Sequence, residues 1–232
     1  MKSNNRLYFG SEYAYLPLMV EHGPFFTNFL KIIKDTLDRS LAHNPRLSVL
    51  RFDLRLPQHW EYHNEYIGNT FITNFFRNLN ERLETSYQRS LRHTRHTYHH
   101  HGMRYVWVRE RHRSQNYHYH VALFVNRDKY RGLGDINHVY QSIANQRSTP
   151  DTLLGHIYAA WTEVLGLDLN DTSGLIHIPA NHSYPININA TGENGQISAL
   201  EQISAAFHRL SYMAKLATKE QDGYRNIGYS NK

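Results

Sequence analysis

Two histidines, His118 and His120, stand two positions apart in the aromatic and β-branched run 117–125. A run of this kind without Gly or Pro is typical of a strand, and apolar residues at both parities indicate a central strand covered on both faces. Side chains alternate along a strand, so both imidazoles point to one face and can share a divalent cation. The chain holds 17 histidines, so two hydrogen-bonded histidines without a ligand remain an alternative.

A second pair, Tyr212 and Lys215, falls near the end of the best-defined predicted helix. Ser198 and Glu201 match the capping box that starts a helix, and apolar residues then step by three and four positions as far as Ala217. This spacing places Tyr212 and Lys215 one turn apart on a separate face. The simpler interpretation is a tyrosine and a lysine that cover a solvated helix face.

The two pairs together are the set that phosphodiester transesterification requires. A divalent ion polarises a phosphoryl oxygen, and tyrosine is an established covalent nucleophile. Attack by Tyr212 on a DNA phosphate would leave a 5′-phosphotyrosine and a free 3′-hydroxyl. Lys215 would hold the phosphate or stabilise the charge that develops on the phenolate.

The remaining elements must bring these pairs together. Helical periodicity predicts three further helices, over 24–41, 69–90 and 151–166. Strand patterns cover 47–56 and 105–110, with short apolar runs at 175–178 and 184–188. The polar residues 111–116 predict a hairpin between the strand 105–110 and the histidine strand. We expect no regular element in 1–22, a polar insert at 127–150, and a loose tail after Gly223.

Two charged tracts have no assigned place in this scheme. Arg51, Asp53 and Arg55 share one face of the strand 47–56, where they form a solvated face or line a site. The segment 91–101 is dense in His and Arg. It lacks fixed spacing on a rigid element, so a solvated basic loop is favoured over a metal-binding tract.

Composition sets broad limits on function. The formal net charge is +6, which permits nucleic-acid binding without requiring it. The chain has no cysteine, which excludes disulfides and thiolate metal sites. No apolar run approaches the roughly 18 residues of a membrane span and no signal peptide is evident, so we expect a cytoplasmic protein. The absence of a G-x-x-x-x-G-K-[ST] motif predicts no nucleotide cofactor.

The motifs resemble those of HUH endonucleases. The triplet 118–120 is similar to their His-hydrophobic-His metal motif, with Tyr119 as an aromatic middle residue, and 212–215 is similar to the Y-x-x-K motif of their single-tyrosine replication initiators. The closer resemblance is to inovirus-type initiators and the related YagK/YfjJ proteins of prophages and phage satellites. It rests on the strings RFDLRLP at 51–57, YVWVRE at 105–110, HYHVALFVN at 118–126, LSYMAKLATK at 210–219 and RNIG at 225–228.

This resemblance implies an α+β fold with a central antiparallel sheet of about five strands flanked by helices. The resemblance covers roughly 45–230, so we expect one HUH endonuclease domain over 45–232. The helical pattern before it predicts an N-terminal helical extension over 1–44. The implied activity is nicking and joining of single-stranded origin DNA with Mg²⁺ or Mn²⁺, which initiates rolling-circle replication in the cytoplasm of a bacterial host. A host or accessory helicase and a polymerase would be partners.

In related initiators a third, often acidic, ligand comes from the strand before the histidines, and Glu110 occupies that place. Asp53 is the competing third ligand. We assign DNA contacts to four cationic residues, which are Arg51, Arg55, Lys219 and Arg225. No second tyrosine adjoins Tyr212, so termination would need another protomer, a distant residue such as Tyr224, or a different step.

Other functions remain open from the sequence. A relaxase or a single-strand transposase would use the same HUH residues. A non-enzymatic DNA-binding regulator with structural histidines would have the same basic loops. A metal-binding module built on the histidines of 93–101 is a third possibility.

Overall fold

The strand that carries the two histidines lies at the centre of a six-stranded sheet. The structure, a computed structural model, describes residues 6–57, 69–93, 98–111, 117–145, 148–172, 174–193, 197–219 and 223–231. The strands of the sheet are β5 (Arg46–Arg55), β6 (Arg104–Glu110), β7 (His118–Asn126), β8 (Ile176–His177), β9 (Ser183–Asn187) and β10 (Ile227–Tyr229). Their order is β10-β6-β7-β5, with β8 and β9 both paired to the outer side of β5, and every pairing is antiparallel.

Five helices cover the two faces of this sheet. They are α1 (Thr27–His43), α2 (Thr70–His93), α3 (Ile136–Ala144), α4 (Leu153–Leu165) and α5 (Ala199–Ser211). One face of the sheet packs with α2, α3 and α4, and the other packs with α1 and α5. Among the described residues, every helix is too short or too polar to span a lipid bilayer.

The alternation of β5 explains how one strand serves both cores. Leu50, Phe52 and Leu54 are buried against α2 and α4, while Leu47 and Val49 are buried against α1. Arg51 and Asp53 follow Leu47 and Val49 at every second position, so they lie on the same α1/α5 face. Apolar packing on this face gives way to polar side chains there.

Four short strands precede the sheet in the chain. They are β1 (Leu7–Tyr8), β2 (Glu12–Tyr13), β3 (Leu16–Pro17) and β4 (Phe25–Phe26). β2 and β3 form a hairpin, and β1 pairs with β4. Phe29, Leu30 and Ile33 of α1 share one apolar core with β6 and β7. The helix α1 thus packs on the sheet and shares its core. The domain boundary at residue 44 stays a sequence prediction.

The α+β class and the antiparallel sheet agree with the sequence prediction, but three elements differ. The sheet has six strands because the tail adds β10, which pairs with β6. Gly228 of β10 lies so close to the Trp107 ring that a Cβ at this position would clash with it. The polar insert contains α3, which Asp135 caps by accepting a hydrogen bond from the His138 amide. The first 22 residues, expected to be irregular, form three of the short strands.

Candidate metal and tyrosine site

Glu110, His118 and His120 come together on the α1/α5 face, at the end of the β6–β7 hairpin. The register pairs Glu110 directly with His118, and His120 lies two residues further along β7 on the same face. One potential ligand atom from each side chain lies within 4.8 Å of the other two. The structure thus places the three residues that the sequence nominated as metal ligands within reach of one ion.

Asp53, the competing ligand, has a different position. It pairs with His120 from the other neighbouring strand, and its Oδ1 lies 2.6 Å from His120 Nδ1. The carboxylate thereby accepts the Nδ1 proton and directs Nε2 of His120 towards Glu110. A carboxylate that orients the second nitrogen of a ligating histidine is the usual outer partner in protein metal sites.

The contact between His120 and Glu110 tests whether a cation fits. His120 Nε2 lies 3.3 Å from Glu110 Oε2. With Nδ1–H donated to Asp53, a neutral His120 turns its Nε2 lone pair towards a carboxylate oxygen. Either a proton or a cation must lie between these two atoms. The donor set of one carboxylate and two imidazoles fits a divalent transition metal such as Mn²⁺.

Two lysines and a hydroxyl also converge on Glu110. Lys215 Nζ lies 2.9 Å from Oε2, Lys219 Nζ contacts Oε1, and Thr218 Oγ1 donates to Oε2 at 2.6 Å. Burial opposes ionisation of Glu110, but the contact with His120 and the charge of Lys219 outweigh it and hold the pKa well below its usual range. Burial lowers the pKa of Lys219 to about 8.

Tyr212 borders the same cluster. Its ring centroid lies 5.6 Å from that of His120 and 4.7 Å from that of His22, and Lys215 Nζ lies 3.7 Å from its centroid. The guanidinium of Arg51 is 5.7 Å from the same ring. The tyrosine, the lysine and the histidine pair therefore form one site.

The backbone that presents Tyr212 differs from the sequence prediction of one continuous helix. The capping box at Ser198 and Glu201 is present, but α5 ends at Ser211, and a 3₁₀ turn covers Tyr212–Ala214. Lys215 is extended and forms a β-bridge with Phe25, and the Leu216 amide donates to the Pro24 carbonyl. Pairing with the N-terminal segment thus overrides the helical periodicity.

The four residues assigned to DNA contacts occupy different environments. Arg51 is 1% exposed and lies 3.5 Å from Asp53, and Lys219 points inward to Glu110. Arg55, opposite His118 on β5, and Arg225, beside the Trp107 ring, are exposed. Arg55 and Arg225 are therefore the two with side chains open to solvent.

His177 and His22 belong to the site, although the sequence did not single them out. His177 Nδ1 lies 3.0 Å from Asp53 Oδ2, because β8 places His177 opposite Asp53. The hydrogen bond and charge of His120, with Arg51 and His177, overcome the effect of burial and lower the pKa of Asp53 far below its usual range. The one available signal was the position of His177 in the short apolar run 175–178.

A second group of potential ligands lies elsewhere, between α2 and the start of β6. It consists of Glu84, His100 and His101, with the Tyr87 ring 5.1 Å from that of His100. His100 Nε2 is 3.0 Å from Glu84 Oε2, and His101 Nε2 is 3.6 Å from the same oxygen. His100 and His101 end the histidine-rich tract, of which 94–97 lie outside the described residues.

Hydrogen bonding distinguishes this second group from the first. The Gly102 amide donates to His100 Nδ1, and the Met103 amide donates to His101 Nδ1, both at 3.1 Å. Each neutral ring therefore carries its proton on Nε2. His100 points that proton at Glu84, whereas His101 Nε2 makes no hydrogen bond. In these tautomers neither Nε2 offers a lone pair to a metal, so the group is a clamp in which the bond from His100 to Glu84 joins α2 to the loop before β6.

Both groups hold a histidine that is neutral at pH 7. Burial and the nearby charge of His120 lower the pKa of His118 to about 4. Burial and the charge of His100 likewise lower the pKa of His101 to about 4. A neutral imidazole is the form that binds a metal, and His118 lies beside the Glu110 carboxylate and the Nε2 of His120.

Comparisons with known proteins agree with one part of the resemblance seen in the motifs, the similarity to the YagK/YfjJ proteins. The chain is 28% identical over 215 residues to the uncharacterized protein YagK of Escherichia coli (strain K12), covering 90% of this chain and 95% of YagK. It is 28% identical over 221 residues to the uncharacterized protein YfjJ of the same organism, covering 90% of this chain and 97% of YfjJ. No solved structure shows a significant match. The family model of the YagK/YfjJ C-terminal domain matches residues 12–230, and the chain therefore belongs to the YagK/YfjJ family.

Proposed function

We propose that this chain is an HUH-type endonuclease that nicks and rejoins single-stranded DNA through a covalent bond to Tyr212. The observation that carries the proposal is the packing of the Tyr212 ring against His120, one of three residues able to share a metal ion. A solvated tyrosine on a helix face, the simpler sequence interpretation, does not account for a ring placed between His22, His120 and Lys215.

The proposed reaction exchanges one phosphodiester bond for another. The phenolic oxygen of Tyr212 attacks a backbone phosphorus and gives up its proton as the new P–O bond forms. The bond from phosphorus to the 3′-oxygen breaks, and that oxygen takes up a proton as a free 3′-hydroxyl. The reverse reaction, attack by a 3′-hydroxyl on the phosphotyrosine, rejoins the strand without an external energy source.

Glu110, His118 and His120 would hold a divalent cation such as Mg²⁺ or Mn²⁺. When bound, this cation supplies Lewis-acid polarisation of a phosphoryl oxygen and orients the phosphate. Asp53 keeps His120 in the tautomer whose Nε2 faces Glu110. His177 donates to the other oxygen of Asp53 and fixes that carboxylate in turn.

Lys215 places a positive charge between the nucleophile and Glu110. Its Nζ lies 3.7 Å from the Tyr212 ring centroid and 2.9 Å from Glu110 Oε2. A cation held in this position offsets the negative charge that develops on the phenolate and the phosphate during attack. Lys219, on the far oxygen of Glu110, balances the carboxylate when Lys215 turns towards DNA.

The biological process that fits this chemistry is initiation of rolling-circle replication at an origin. The support is the similarity of the metal and tyrosine motifs to those of single-tyrosine initiators. Without a P-loop motif in the sequence, strand separation would come from a helicase partner. Relaxases and single-strand transposases use the same residues, so the substrate decides among these three activities.

A covalent-adduct assay tests the proposal directly. Protein, Mn²⁺ and 5′- or 3′-labelled single-stranded DNA that spans the origin of the parent element are incubated and resolved on a denaturing gel. We expect a metal-dependent band of protein joined to the 5′ end of the downstream fragment. DNA binding without any adduct under these conditions would instead favour the non-enzymatic regulator.

A further inference from the structure

A stack of alternating arginine and tyrosine side chains lies at the end of the β6–β7 hairpin. The Arg109 guanidinium is 4.5 Å from the Tyr117 ring centroid and 5.5 Å from that of Tyr224. The Arg111 guanidinium also lies near Tyr117, 5.5 Å from its ring centroid. The order across the stack is therefore Tyr224, Arg109, Tyr117 and Arg111.

The stack lies behind the metal site. Arg109 and Glu110 are neighbours along β6, so their side chains point to opposite faces of the sheet. Arg109 is buried and its Nη2 donates to Asn226 Oδ1 at 3.2 Å, which fixes the centre of the stack. The stack and the candidate metal site thus lie on opposite faces of the sheet at the same end of one hairpin.

The two ends of the stack are open to solvent. Tyr224 is 42% exposed, and Arg111 is exposed beyond Tyr117. The exposed Arg225 lies beside the Trp107 ring on the same face. A rigid aromatic ring flanked by cations has the composition of surfaces on which unpaired bases stack while arginines contact the phosphates.

We propose that this stack binds unpaired nucleotides of the DNA strand next to the cleavage site, with one base on the exposed ring of Tyr224. The inference rests on the proposed function for the identity of the strand, but the binding itself needs neither metal nor Tyr212. Bases in a duplex are already stacked on each other, so the surface takes single-stranded nucleic acid in preference to duplex. The core position of Arg109 makes the platform rigid, which reduces the entropy lost on binding.

Equilibrium binding in EDTA, followed by fluorescence anisotropy, separates stacking from cutting. The probes are a labelled single-stranded oligonucleotide of mixed sequence and a strand of the same length that lacks bases. We expect Tyr224→Ala to weaken binding of the normal strand about 10-fold and to leave binding of the abasic strand nearly unchanged. Tyr224→Phe, which keeps the ring, should bind as the wild type does.

Tyr140→Ala is the matched control, because Tyr140 is 40% exposed and also packs on another ring, that of Tyr158. It should leave both affinities unchanged. An equal loss of affinity for both probes in Tyr224→Ala would overturn the proposal, since it would show a general structural effect. Unchanged binding of the normal strand would overturn it too. The adduct assay judges the proposed function separately, since Tyr224→Ala keeps Tyr212 and all three candidate ligands.

Discussion

Two groups of one glutamate, two histidines and one tyrosine occur in the part of the chain that the structure describes, and their hydrogen bonds give them opposite properties. In the first, His120 donates its Nδ1 proton to Asp53 and leaves Nε2 facing Glu110. In the second, His100 and His101 accept backbone amides at Nδ1 and so carry their protons on Nε2. The same residue types make a candidate cation site in one place and a clamp in the other.

The origin of this difference is the backbone that carries each pair. His118 and His120 lie on a central strand, where neighbouring strands place Glu110 and Asp53 beside them. His100 and His101 are consecutive residues in a loop, and the loop's own amides reach their Nδ1 atoms. Residue identity and proximity therefore do not define a metal site. The hydrogen-bond partner of one ring nitrogen decides which of the two nitrogens carries the proton, and so whether the other has a lone pair for a metal.

The largest expected effect concerns the two tyrosines. Tyr212→Phe should abolish the covalent adduct while DNA binding persists, because only the attacking oxygen is removed. Tyr87→Phe, the corresponding change beside His100, should leave adduct formation at the wild-type level. Both are read on the same denaturing gel, and an adduct that survives in Tyr212→Phe would place the nucleophile elsewhere.

The histidines should differ next most strongly. His120→Ala should lower Mn²⁺ affinity by more than about 100-fold, since losing a ligand costs more than losing an outer partner. His101→Ala removes an equally buried ring from the clamp and should leave Mn²⁺ affinity unchanged. Isothermal titration calorimetry with Mn²⁺ measures the affinity of both variants. If the clamp were the metal site, His101→Ala would show the larger loss of affinity.

Glu110 and Asp53 test which carboxylate is the ligand. Glu110→Gln and Asp53→Asn both keep side-chain size and remove one negative charge. Asp53→Asn should weaken Mn²⁺ binding about 10-fold, because it removes the carboxylate that orients a ligating histidine but does not remove a ligand. Glu110→Gln should weaken it more. A larger effect of Asp53→Asn on the metal titration of nicking would identify Asp53 as the ligand.

The smallest effect is a pH dependence that belongs to the clamp. Burial lowers the pKa of His101 in the folded protein to about 4 from its usual 6.5. Between these two pH values the unfolded chain therefore binds a proton that the folded chain does not. Stability is therefore retained above about pH 6.5 and lost as the pH falls towards 4, by up to about 3 kcal/mol. His101→Phe should lose less stability than the wild type over this interval.

Urea unfolding of wild type and His101→Phe at pH 7.5 and pH 5 measures this difference, because only the change between the two pH values is compared. Parallel pH profiles would mean that His101 titrates normally and that the clamp is open in solution.

Local sequence patterns predicted the part of the site that one hairpin builds. Alternation placed His118 and His120 on one face, and the short connection after Glu110 brought that carboxylate opposite His118. Both relations involve residues close in the chain, where strand period and turn length fix geometry. The capping box at Ser198 was predictable for the same reason.

Contacts between distant segments were not predictable in this way. His177 reaches Asp53 only because β8 pairs with β5, and Lys215 leaves the helix because Phe25 pairs with its backbone. Lys219 follows the same course and turns inward to Glu110, although its sequence position suggested a phosphate contact. Periodicity reports which face a residue prefers but not which remote strand competes for its backbone.

The bridge between Phe25 and Lys215 also has a consequence for the time at which the candidate site can be complete. These residues are separated by 190 positions, and ribosomes add about 5–20 residues per second. Roughly 10 to 40 s thus pass between synthesis of the anchoring segment and synthesis of the lysine that it holds. In the later part of that interval, after residue 120 and before residue 212 is added, a nascent chain carries the histidines without the tyrosine. If the proposed function holds, a translation product that stops early is unable to form a covalent bond with DNA.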